Sequence, residues 1–86
     1  MPGAARQGQD SAGGTIVAGS PNVTVNNSPV ARIGDAVAGH GRGPHSGPTM
    51  AAGSGNVFAN NIAVSRAGDP ATCGHPATGS GNVIVN

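Results

Sequence analysis

Two stretches of this chain are close copies of each other. Thr15 to Asp35 reads TIVAGSPNVTVNNSPVARIGD and Thr49 to Asp69 reads TMAAGSGNVFANNIAVSRAGD; at an offset of 34, twelve of 21 positions are identical. A third, truncated copy, GSGNVIVN, runs from Gly79 to Asn86 and matches six of eight residues in each of the others, so the unit GSxNVxxN begins at Gly19, Gly53 and Gly79. Positional identity of this kind is the mark of a repeat architecture. It argues against disorder even though Gly (16) and Pro (7) exceed a quarter of the 86 residues, a composition in which unpatterned chains are usually unfolded.

Each unit reads as a turn followed by a short strand. Gly-Ser with Pro or Gly is turn chemistry, and Val23-Thr24-Val25, Val57-Phe58-Ala59 and Val83-Ile84-Val85 are β-favouring triplets. In an extended segment the first and third residues share a face. Val23 with Val25, Val57 with Ala59, and Val83 with Val85 are therefore expected as three small apolar patches. Asn27 and Asn61 are expected to end the strands, since Asn tolerates left-handed geometry. Further short strands are expected at Ile16–Ala18, Val30–Ile33, Met50–Ala52 and Ile62–Ser65. The expected fold is all-β, with pseudo-threefold repeats joined by Gly/Pro-rich turns, over residues 15–86. Residues 1–14 lack the repeat and are expected to be a flexible N-terminal lead. Three equivalent units in one chain serve either as internal duplication for folding alone or as a surface that docks on a true trimer.

The composition then raises a question of stability. There is no Leu, Lys, Glu, Trp or Tyr, and a single Phe, so helices are disfavoured and a conventional core is thin. Domains of this size bury only roughly 60% of their unfolded surface and often need a staple. One Cys allows no internal disulfide, which leaves a metal ion or a partner chain. The net charge is +1, with neither clustered basic residues nor stacking aromatics, so nucleic acid is excluded as a partner. No apolar run reaches a membrane span. Met1 to Gln9 shows no secretory signal, so the expected location is the cytosol, unless export follows another route.

All three His and the only Cys lie in two Gly/Pro-rich loops outside the strand units. AGHGRGPHSGP carries His40 and His45; ATCGHPATG carries Cys73 and His75. Each loop follows a Gly-Asp pair, Gly34-Asp35 and Gly68-Asp69, so duplicated scaffolding brings the loops to related places. Three imidazoles and one thiolate complete a tetrahedral zinc shell with no position open for water, the pattern of a structural site. Iron or nickel suit such a shell less well. The alternative is that the His residues are solvated and Cys73 is a small buried hydrophobe. A thiol enzyme using Cys73, His75 and Asp69 is disfavoured by a chain with so little material for a cleft. A repetitive surface-binding solenoid would not explain the ligand loops. Arg32 with Asp35, and Arg66 with Asp69, recur at matching positions and are expected as local ion pairs that fix each loop.

These features resemble the PAAR-repeat family, which caps the spike of bacterial type VI secretion systems. The resemblance is carried by Pro29-Val30-Ala31-Arg32 followed by Gly34-Asp35, by the three GSxNVxxN units and by His40, His45, Cys73 and His75. The name motif has Val30 at its second position, and the second copy, Ala63-Val64-Ser65-Arg66, lacks the Pro. The resemblance implies a small cone stapled by one zinc near its apex. Its base would sit on the trimeric VgrG β-helix, here through Val23, Val25, Val57, Ala59, Val83 and Val85. The implied function is a non-catalytic tip that sharpens the spike for envelope puncture, with effector carriage as a further role. It would be one monomer on a trimer, assembled in the cytoplasm and exported by the machine, without stable membrane insertion. The resemblance also leaves open the tip of a contractile phage tail or related injection machine, and a free-standing zinc-tied effector adaptor.

Overall fold

Among the described residues the named strands form three two-stranded antiparallel hairpins of the shortest kind. The computed structural model describes residues 3–85. β1 (Ser11–Ala12) pairs with β2 (Gly14–Thr15), β3 (Thr24–Val25) with β4 (Ser28–Pro29), and β5 (Phe58–Ala59) with β6 (Ile62–Ala63). Val25 faces Ser28 and Ala59 faces Ile62 across loops of two residues. Those loops are Asn26-Asn27 (φ 53° and 69°) and Asn60-Asn61 (φ 55° and 64°). Positive φ at both central positions is the type I′ turn, whose twist matches that of paired strands and which Asn adopts readily. β3 and β5 thus end at these Asn pairs, where Asn27 and Asn61 have the expected left-handed geometry, and the chain turns back into β4 and β6.

The remaining expected strands are reduced to single bridges, because each segment changes partner every second residue. Ile16 bridges Val37, Met50 bridges Ala71, Arg32 bridges Val64 and Gly3 bridges Ile84. The three Gly-Ser turns are built alike. Ser20 Oγ accepts from the amides of Asn22 and Val23, Ser54 Oγ from Asn56 and Val57, and Ser80 Oγ from Asn82 and Val83, at 2.9–3.2 Å. All three serines are buried, so each hydroxyl satisfies backbone donors that would otherwise be orphaned in the interior.

At the centre, three segments close into a ring: residues 4–6, 30–32 and 64–66. Ala4 bridges Arg66, Arg6 bridges Val30, and Arg32 bridges Val64. Their middle residues, all fully buried, hydrogen-bond head to tail: Ala31 N to Ala5 O (2.9 Å), Ser65 N to Ala31 O (2.9 Å) and Ala5 N to Ser65 O (3.0 Å). The N-terminal segment is therefore part of the fold, and the expected flexible lead is corrected from residue 3 onward; Met1 and Pro2 lie outside the described residues. The segment is held because it supplies what the truncated copy at Gly79 lacks. Val30 donates to Val23 O and accepts from Ser20 N, Val64 does the same with Val57 and Ser54, and Ala4 does it with Val83 and Ser80. One repeat unit is thus assembled from the two ends of the chain.

The ring partitions two small cores, because successive residues of an extended segment face opposite ways. Ala4, Val30 and Val64 join Val25 and Ala59 on one side, with Val57, Val83 and Val85 packed half-buried against them. Ala5 and Ala31 join Ala12, Ile16, Val37, Met50, Ala71 and Ala77 on the other. Val25 and Ala59, expected on an outer docking patch, are corrected to core residues. Val57 with Ala59 and Val83 with Val85 do share a side, as alternation predicts, but it is the inner one; Val23 is exposed. Among the described residues the exposed large apolar positions are Val17, Val23, Ile33, Phe58, Ile62 and Ile84. At the triplets it is the middle residue, Phe58 (57% exposed) and Ile84 (47%), that points out.

Candidate metal centre

From each ring segment the chain makes one excursion before the next Gly-Ser turn: residues 11–18, 36–52 and 70–78. The excursions are tied to each other. Ala38 N donates to Thr15 O (2.8 Å), Thr72 N to Thr49 O (2.8 Å), and Thr78 N to Ser11 O (2.9 Å). The roots of the excursions are pinned by ion pairs of one design. In each, an Asp accepts from the backbone amide and the Nε of its Arg through one oxygen, and from Nη2 through the other: Arg6–Asp10, Arg32–Asp35 and Arg66–Asp69. Such forked pairs fix geometry as well as charge, and two of them meet the expectation of local pairing. The third, Arg6–Asp10, lies in the segment expected to be flexible. Burial works to raise the Asp10 carboxyl, but hydrogen bonds from Arg6 and Thr78, with the charge of Arg6, outweigh it and hold the group below its ordinary value of 3.8.

His40, His45, Cys73 and His75 come together, with one donor atom from each lying within 4.8 Å of all the others. The first three are half-buried and His75 is exposed, while Cys73 packs on the core formed by Ile16, Met50 and their neighbours. The three imidazoles occupy the corners of a nearly equilateral triangle, with ring centres 5.0, 5.0 and 5.1 Å apart. Local hydrogen bonds set the rings. His40 N donates to His45 O (2.8 Å), closing the first loop around a single 3₁₀ turn at Gly43–His45. Ala71 N donates to His75 O (3.0 Å) and Gly74 N to Ala71 O (2.9 Å), folding Cys73 beside His75.

The donor chemistry fits a metal ion. His40 Nδ1 lies 3.1 Å from Ala38 O, which assigns the proton to Nδ1 and leaves the Nε2 lone pair facing the cluster, the usual outer support of a metal-bound imidazole. A tetrahedral shell with bonds of about 2.0–2.1 Å to nitrogen and 2.3 Å to sulfur spaces its nitrogens about 3.3–3.4 Å apart, and nitrogen from sulfur about 3.6 Å. His40 Nε2 lies 3.2 Å from His45 Nδ1 and 3.7 Å from Cys73 Sγ. All four donors read from the two loops are therefore placed where one ion could hold them.

Three contributors were not legible at the level of motif. Arg6 and Asp10 had a signal in Ala5-Arg6-Gln7-Gly8, which repeats the pattern of Ala31-Arg32-Ile33-Gly34; the extra residue before Asp10 obscures it. Gly13, at the tip of the β1–β2 hairpin, lies against His40 and His75 and carries no side chain to announce it. A search of curated proteins finds no match to this chain. A family model described as PAAR motif matches residues 6–79, a span that takes in all three Arg–Asp pairs and all four donors. The chain therefore belongs to the PAAR motif family, whose role at the level of the family is that of a spike tip associated with VgrG in type VI secretion.

Proposed function

We propose that this protein caps a trimeric VgrG-type β-helix and acts as the mechanical point of the spike, with one zinc ion held by His40, His45, Cys73 and His75. The single observation that carries the reading is the closed ring of three paired segments built by one chain. Its three GSxNVxxN units pack on one side of the ring and the core that carries Cys73 lies on the other, an arrangement that suits a partner with three identical chains. Zinc favours tetrahedral N/S ligation, and four protein donors leave no coordination position for a substrate, so the role is structural, not catalytic. Bound zinc would tie the two ligand loops together and stiffen a domain whose two cores are built mainly from Ala and Val.

Docking would use the exposed apolar residues beside the hairpins, Val23, Phe58, Ile62 and Ile84, together with unpaired strand edges. In this reading the protein is assembled in the cytoplasm and leaves with the spike, parting the target envelope and carrying any effector fused or bound to it. The test is co-purification of the full chain with a candidate spike trimer, with metal quantified in the same sample. One chain and one zinc per trimer is the expected result. Zinc without trimer would point to a free-standing adaptor, and a complex without metal would overturn the structural role of the ion. Phe58→Asp should weaken the complex while leaving the metal content unchanged.

A further inference from the structure

We propose that Gly13, at the tip of the β1–β2 hairpin, is a positioning residue of the metal centre: it is the contribution of the one excursion that supplies no donor. The inference rests on the metal reading above. Two of the three excursions carry donors, the second His40 and His45, the third Cys73 and His75. The first, residues 11–18, is tied to both by the Thr15–Ala38 and Ser11–Thr78 hydrogen bonds, and it places the Gly13 backbone directly against the imidazoles. A Cβ on Gly13 would lie 2.5 Å from His40 Nε2 and 2.5 Å from His75 Cδ2. His40 Nε2 is the atom that sits 3.2 Å from His45 Nδ1 and 3.7 Å from Cys73 Sγ, so displacing it spoils two edges of the shell at once. The hairpin also presents the Ala12 carbonyl 3.9 Å from Cys73 Sγ.

Backbone conformation alone does not account for the glycine. Gly13 has φ +86°, but so nearly do Gly34 (+91°) and Gly68 (+92°), where a Cβ would meet open space. What distinguishes Gly13 is the volume it leaves to two ligand rings. The hairpin is a floor on which His40 and His75 rest, and its lack of a side chain sets how closely the donors converge.

Gly68→Ala therefore controls for backbone strain, and Gly13→Ala reads strain plus intrusion on the rings. Both variants of the full chain are loaded with cobalt(II), whose tetrahedral thiolate sites absorb in the visible. Gly68→Ala should keep the wild-type spectrum. Gly13→Ala should change it and lose about ten- to a hundredfold in metal affinity, the range for residues that orient ligands from behind. A wild-type spectrum and an affinity equal to that of Gly68→Ala would overturn the proposal. Should Gly13→Ala fail to fold, exchange of zinc for the larger cadmium in the wild-type protein gives a second readout. The Gly13 amide resonance should shift while those of Gly34 and Gly68 stay, and an unmoved Gly13 would overturn the proposal. Wild-type protein that binds no metal would remove the metal reading itself; metal bound equally by wild type and Gly13→Ala would remove only the role of Gly13.

Discussion

The ring and the donor end of this molecule solve the same problem with different materials. Both must order a Gly-rich chain with little apolar volume to bury. In the ring, each demand is met three times over: a Gly-Ser turn capped by its own serine, a forked Arg–Asp pair, and a middle amide donating to the next segment. At the donor end the ties between excursions recur, but their tips do not. One excursion offers a 3₁₀ turn with two imidazoles, another a thiol and an imidazole, the third a bare glycine. The difference teaches that redundancy in backbone hydrogen bonds can hold one half of a fold with small cores, whereas the unlike loops would gain a common point of attachment from a shared ion.

The comparison breaks most directly at the donors. His45→Ala or Cys73→Ser, or chelation of the wild-type protein, should lower stability by more than about 4 kcal/mol, as loss of a structural metal does. Hydrogen exchange should show where. Amides in residues 36–49 and 70–77 should lose protection first, and those of Ala5, Ala31 and Ser65 last. Uniform loss across both ends would show that the two regions form one cooperative unit.

The next effect sharpens the role of the N-terminal segment. Asp10→Ala leaves the Arg6 guanidinium, the Arg6 amide and the Thr78 hydroxyl without their acceptor and should cost about 2–3 kcal/mol by thermal or denaturant unfolding. A residue in a flexible lead would cost nothing. Because the folded-state carboxyl titrates below its ordinary value of 3.8, its contribution is complete above that value. It is lost as pH falls through the lower, folded-state one. The stability gap between wild type and Asp10→Asn should therefore be constant at neutral pH and narrow below about pH 4. A gap that widens on acidification would contradict the assignment.

A smaller effect is expected at the type I′ turns. Asn26→Ala should cost about 1–2 kcal/mol for left-handed backbone, with an added loss because Asn26 Nδ2 donates to Asn82 Oδ1 and Ser80 Oγ. Asn27→Ala should cost the backbone part alone. Equal losses would mean that the side-chain link between repeat units contributes little. The smallest is Phe58→Ala, an exposed change expected to move stability by less than about 0.5 kcal/mol while weakening attachment to a spike trimer.

Much of this was legible in the sequence. The first strand of each Asn-Asn hairpin follows from its β-favouring triplet, and the donor set from the fact that no His or Cys falls outside two loops. The third ring segment was hidden because a repeat search runs along the chain, whereas this repeat is cyclically displaced: Ala4 completes a unit whose turn begins at Gly79. Val25 and Ala59 were misplaced because alternation says which residues share a side, as Val57 with Ala59 and Val83 with Val85 do, but not whether that side is the inner or the outer one. Gly13 was invisible for a simpler reason, since its contribution is the space it leaves open.

The displaced unit has a consequence for biosynthesis. Ala4 emerges from the ribosome long before the atoms it binds, Val83 O and Ser80 N. The ring needs only residues up to 66, but the displaced unit cannot close until residue 83 is made, and pairing between segments so far apart in the chain is the slow kind. Closure of that unit is therefore expected to be a late step of folding, which leaves an interval in which a chaperone, or the spike itself, can engage the open form.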